Sequence, residues 1–138
     1  MARYYRQTST NSKNTGSIGA RFYSIGTLEA EQAPAAYLKK VKVSIIPADN
    51  TVGVGNRNPS YFIYASADSN TARSDIITGQ AVHGAGTVWL DLSRSIRSDV
   101  SDDDRNDAVV NIWVESDSAG VVDTMIETWG RFLSITDH

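Results

Sequence analysis

A chain of 138 residues and 15.0 kDa suits one domain that buries roughly two-thirds of its unfolded surface. It holds no cysteine, which excludes disulfides, thiolate catalysis and cysteine-ligated metals, and it has no apolar run near the roughly 18–20 residues of a membrane helix. The formal net charge of −3 hides an asymmetry: residues 1–42 carry seven Lys or Arg against two acids, and residues 43–138 carry six against fourteen, a division that fits a basic arm on an acidic body.

The N-terminus has basic residues with no apolar stretch after them, so no secretory signal is expected. Pro59 spoils the only Asn-x-Ser glycosylation sequon, at Asn58. A protein made and used inside a cell is the simplest expectation.

Residues 1–16 are polar, with "QTSTNSKNTG" rich in Ser, Thr and Asn. Nothing there offsets the entropy of ordering the backbone, so a flexible basic polar arm is expected over 1–16, followed by a single β-sandwich domain over 17–138. Arg3, Arg6, Lys13 and Arg21 suit phosphate contacts, and Tyr4 and Tyr5 suit stacking on bases. Neutralising about four phosphates of a single strand gives a salt slope of roughly −3, weak for one chain but substantial for many linked copies.

Periodic segments follow. Ile18, Ala20 and Phe22 alternate, predicting a strand over 18–25. Pro34 interrupts "TLEAEQAPAA", which leaves room only for a short helix. Residues 37–46 form the clearest strand: Tyr37, Val41, Val43 and Ile45 share one face, while Lys40, Lys42 and Ser44 share the other. "DNTVGVGNRNPS" reads as a loop. Strands are expected over 61–66, in "SDIITGQAV", and over 87–92, where Val88, Leu90 and Leu92 alternate. "SRSIRSDVSDDDRND" is a polar connection. Strands resume over 108–115 and, as one long final element, over 121–135. Several short strands punctuated by Gly, Pro and Asn predict an all-β, antiparallel two-sheet sandwich. The expected core holds Val41, Val43, Ile45, Ile63, Leu90, Ile112, Val114, Ile126 and Phe132.

Catalytic chemistry is sparse. His138 is terminal and expected to be mobile, and His83 sits in a turn-like "VHGAG"; no nucleophile elbow or triad pattern accompanies them. Gly53 and Gly55 lack the remainder of a phosphate loop. Asp123 and Glu127 share one strand face and are expected to meet solvent. No enzyme activity and no cofactor are expected. Asp102, Asp103, Asp104 and Asp107 cluster as calcium ligands do, yet Asp107 and Trp113 stand where an EF-hand needs Gly and Glu. A solvated loop is the plainer reading, and a cation shared between subunits the sharper one. Trp89 and Trp113 fall opposite the aliphatic face of their strands. They are expected either in a subunit interface or under a covering element, with sugar stacking as the lesser reading.

The short basic arm, the run of strands and the ending "AVVNIWVE…VVDTMIETWGRFLSI" resemble single jelly-roll capsid proteins of small icosahedral viruses. The resemblance is one of layout over the whole chain. It implies a non-enzymatic, self-assembling shell subunit located in the virion and made in the host cytoplasm, with itself and viral nucleic acid as partners and no membrane. The arm is less densely basic than such arms often are. A phage head-decoration protein has a similar profile, and a β-sandwich module for carbohydrate or another ligand is the alternative from a different class.

Overall fold

The computed structural model describes residues 5–16, 19–27, 35–47, 60–67, 70–97, 109–117, 120–130 and 133–138. Its regular elements are nine β-strands: β1 (Tyr5–Thr15), β2 (Ala20–Thr27), β3 (Ala35–Pro47), β4 (Ser60–Ala67), β5 (Ile76–His83), β6 (Gly86–Arg97), β7 (Val110–Ser116), β8 (Gly120–Gly130) and β9 (Leu133–Asp137). They build a four-stranded sheet in the order β1-β8-β3-β6 and a five-stranded sheet in the order β5-β4-β7-β2-β9.

The pairing follows one rule. β1 pairs with β8, β2 with β7, β3 with β6 and β4 with β5, all antiparallel, so the strand numbers of each pair sum to nine. This is one long antiparallel ribbon rolled on itself. Two further pairings, β3 with β8 and β4 with β7, join the folded ribbon into two sheets. The result is an eight-stranded jelly roll of nested Greek keys. β9 lies outside the rule and extends the second sheet by pairing with β2.

Period-2 alternation builds the core between the sheets. Val41, Val43 and Ile45 of β3, Val88, Leu90 and Leu92 of β6, and Val122 and Ile126 of β8 meet Tyr23 and Ile25 of β2, Ile63 of β4 and Val110, Ile112 and Val114 of β7. The expected core residues are buried, apart from Phe132, which lies outside the described residues. Tyr23 ties the sheets together: its hydroxyl donates to the Thr124 carbonyl across the core at 2.9 Å.

Three expectations are corrected. Residues 5–15 of the N-terminal stretch form a strand, paired with β8 residue for residue from Tyr5↔Gly130 to Thr15↔Gly120. The final segment is two strands, not one. β8 ends at Gly130 in the first sheet, and β9 begins at Leu133 in the second, so the chain changes sheets around 131–132. His138 is anchored, its backbone N–H donating to the Phe22 carbonyl at 3.0 Å and its ring Nε2 lying 2.6 Å from Ser24 Oγ. The short helix considered near Pro34 does not run on from there, because Ala35–Pro47 is strand β3; residues 28–34 lie outside the described residues.

Candidate nucleic-acid and subunit surfaces

β1 is an edge strand of polar residues, and its two faces differ. Arg6, Thr8, Thr10, Ser12 and Asn14 are exposed, while Gln7, Ser9, Asn11 and Lys13 are half-buried and turn toward the edge of the other sheet. There the side chains find β9 and β2. Gln7 Nε2 donates to the Leu133 carbonyl, and Ser9 Oγ donates to Asp137 Oδ1 at 2.6 Å. Asn11 Nδ2 bonds the Phe22 carbonyl at 2.8 Å and the His138 carbonyl at 3.1 Å. Lys13 Nζ donates to the Arg21 carbonyl at 2.6 Å and lies 5.5 Å from the centre of the Phe22 ring. Polar side chains thus close this side of the sandwich by satisfying backbone carbonyls.

These contacts divide the expected nucleic-acid residues. Lys13 turns inward to Arg21, and burial, helped by the Arg21 charge, lowers its pKa. Arg21 bonds Asn70 Oδ1 and lies 6.0 Å from the Trp113 ring on the five-stranded sheet. Arg6 points the other way, exposed and opposite Trp129. Tyr5 opens β1, while Arg3 and Tyr4 lie outside the described residues. Among the described side chains, Arg6 therefore stands apart from Lys13 and Arg21.

The two expected interface tryptophans also part company. Trp113 is 5% exposed. Its ring is parallel to that of Tyr64, with centroids 6.1 Å apart, and Tyr64 stacks in turn on Phe62 at 5.2 Å. Its indole N–H donates to Ser66 Oγ at 2.8 Å. The turn before β5 covers this row. Arg73 holds the buried Glu115 carboxylate through two nitrogens, and its backbone N–H donates to the Tyr64 hydroxyl at 3.0 Å. Gly79 completes the cover, because a Cβ there would come within 2.6 Å of the Phe62 ring. Trp113 is a covered residue.

Trp89 is 44% exposed on the outer face of the four-stranded sheet. Register places two rows of side chains on this face. One runs Arg6–Trp129–Lys40–Asp91 and the next Thr8–Glu127–Lys42–Trp89. Trp89 of β6 and Trp129 of β8 reach over β3 and stack with centroids 5.3 Å apart. Lys40 Nζ lies 4.7 Å from the Trp89 centroid and 5.3 Å from that of Trp129. Lys42 Nζ lies 5.7 Å from the Trp89 centroid and 3.7 Å from Glu127 Oε1. Lys39, the extra residue where β3 bulges against β8, is exposed beside them. The sequence alternation pointed to Trp89 but missed Trp129 and Lys40, because their meeting depends on strands 8, 3 and 6 being neighbours.

Asp102, Asp103, Asp104 and Asp107 lie outside the described residues. Among the described residues, no group of three or more His, Asp or Glu side chains is placed to hold a metal.

The chain is similar in structure to sacbrood virus of honeybee, with 8% sequence identity, a TM-score of 0.54, and 95% of this chain and 76% of that chain covered. It is also similar to the capsid protein of BFDV in its 60-mer, with 10% identity, a TM-score of 0.49, and 95% and 94% covered. A third likeness is to the Bacillus endospore appendages, a family of disulfide-linked pili, with 10% identity, a TM-score of 0.47, and 97% and 92% covered. No protein-family model matches the chain, and no curated protein matches its sequence. At such identities the likeness is one of fold, and the fold is the single jelly roll.

Proposed function

We propose that this chain is a non-enzymatic structural subunit that assembles with copies of itself into a virus shell. The nested pairing of eight strands carries the reading, because it is the complete jelly roll with only β9 added. The fold-level likeness to sacbrood virus supports it. A jelly roll serves other roles too, lectin domains and cupins among them, so the fold alone does not choose a function. The choice rests on what this chain adds. One side of its sandwich is closed by β1 against β9 and β2, and Trp89 stays exposed on the outer face of the four-stranded sheet.

On this reading the protein resides in the virion after synthesis in the host cytoplasm. Its partners are further copies of itself and the enclosed nucleic acid. Sedimentation velocity on the purified chain tests the reading. Material sedimenting as large particles of uniform size supports it; a monomer across a wide range of concentration and salt refutes it.

A further inference from the structure

We propose that the outer face of the four-stranded sheet binds single-stranded nucleic acid, with a base stacking on Trp89 beside Trp129 and phosphates held by Arg6, Lys39 and Lys40. The inference deepens the shell-subunit reading, on which it rests for the source of the polymer, while the chemistry of the face stands by itself.

The first ground is the pairing of ring and cation. Proteins that hold single strands without reading sequence combine aromatic surfaces for the bases with positive groups along the backbone. Here Trp89 keeps 44% of its surface open, although Trp129, Lys40 and Lys42 all lie near it. Lys40 sits over both indoles, so an ammonium is held beside the stacking surface before any ligand arrives. A preordered side chain costs less entropy on binding.

The second ground is charge. The whole chain carries −3, yet Arg6 lies opposite Trp129, Lys40 sits over both indoles, and Lys39 is exposed in the bulge next to Lys40. Two acids stand nearby. Glu127 is engaged by Lys42, and Asp91 accepts a hydrogen bond from Ser93 Oγ at 2.8 Å. Asp123 lies further along the sheet, opposite Ser12 and Ile46. The tryptophan end of the face therefore has a surplus of positive charge, complementary to a polyanion.

The third ground separates a nucleic acid from a second copy of this chain. The centres of protein–protein interfaces are depleted in Lys, Asp and Glu. This face surrounds its aromatic pair with Lys39, Lys40, Lys42, Asp91 and Glu127. Such a composition suits a wet, charged ligand better than a dry subunit contact.

The test measures fluorescence anisotropy of a labelled oligo(dT) of about 15 nucleotides, a length that fills a typical single-strand site. The parent should bind, and its affinity should fall with salt with a logarithmic slope of roughly −2, from about three phosphate contacts. Trp89→Ala should weaken binding by at least roughly fivefold. Lys39→Ala combined with Lys40→Ala should weaken binding and flatten the salt slope. Lys13→Ala, on the inward side of β1, should bind as the parent does. Circular dichroism melts of each variant confirm folding.

Absence of salt-sensitive binding by the parent overturns the proposal, and so does a folded Trp89→Ala variant that binds unchanged. Binding of a neutral oligosaccharide in place of oligo(dT) overturns it in favour of a sugar. If Trp89→Ala changes sedimentation and leaves oligo(dT) binding intact, the face is a subunit contact and the proposal fails. Particles that form without binding oligo(dT) sink this proposal alone. A monomer that binds oligo(dT) sinks the shell reading alone.

Discussion

The hydroxyl of Tyr23, on the five-stranded sheet, donates to the Thr124 carbonyl of the four-stranded sheet at 2.9 Å and lies 3.0 Å from Thr124 Oγ1. It is a polar bond across a largely apolar core, and it links the two sheets. Burial, which outweighs the Thr124 hydrogen bond, pushes the Tyr23 pKa up from 10.0 to about 12. Below pH 10 the phenol is neutral in both folded and unfolded chains. Between about pH 10 and 12 the unfolded chain gives up this proton while the folded chain keeps it, so stability falls as pH rises. Burial also raises the pKa values of Tyr61 and Tyr64, which adds to the same trend. Denaturant melts across this range should show the loss, and Tyr23→Phe should reduce it. The variant should also cost about 1–3 kcal/mol at neutral pH, because a buried carbonyl loses its partner.

Ile112 lies fully buried at the centre of the five-stranded sheet, where β7 runs between β4 and β2. Truncation to Ala should cost about 2–5 kcal/mol through lost transfer energy and the cavity left behind. An unchanged denaturation midpoint would place this side chain outside the core.

Thr128 points into the core, fully buried, and its hydroxyl finds no hydrogen-bond partner among the described residues. Replacing the hydroxyl by a methyl removes a desolvated polar atom at nearly constant shape. Thr128→Val should therefore stabilise the protein by about 1 kcal/mol. A lower melting temperature would mean that the hydroxyl has a partner.

The N-terminal stretch gives a sharper contrast. As a flexible arm, residues 2–14 would be dispensable for folding. As β1, their removal strips ten of the eleven paired residues from β8 and the seals on β9 and β2. The deletion should lower the melting temperature strongly or leave the chain unfolded. An unchanged melting midpoint would restore the arm.

Arg73 and Glu115 close the cover over Trp113. Glu115 has a side chain only 7% exposed, while that of Arg73 is 61% exposed. Arg73→Ala leaves a buried carboxylate without its cation, whereas Glu115→Gln leaves a neutral amide against a guanidinium that water still reaches. Arg73→Ala should be the more damaging, by about 1–3 kcal/mol in urea melts. Trp113 fluorescence should shift red as water reaches the indole.

How much of this was legible in the sequence depends on where each signal lay. The inner faces of β3, β6 and β7 follow a period of 2 in β-branched and aliphatic residues, so Val41, Val43, Leu90, Ile112 and Val114 were readable as core. β1 was not, because its inward positions are Gln7, Ser9, Asn11 and Lys13. Their partners are carbonyls more than a hundred residues away for Gln7 and Asn11, and no local pattern announces such bonds. Trp113 was read as interface or covered, with sugar stacking as the lesser reading, because alternation shows a face and not what covers it. The division of β8 from β9 left only Gly130 and Arg131 as hints within an otherwise strand-like run. The meeting of Trp89 with Trp129 depends on strand order, which arises from long-range pairing that composition does not encode.

The central claim is that this jelly roll builds a shell, and negative-stain electron microscopy of the purified protein tests it most directly. The account predicts closed particles of uniform diameter at low or moderate salt. Fields of isolated small molecules, under conditions where circular dichroism shows the chain fully folded, would contradict it.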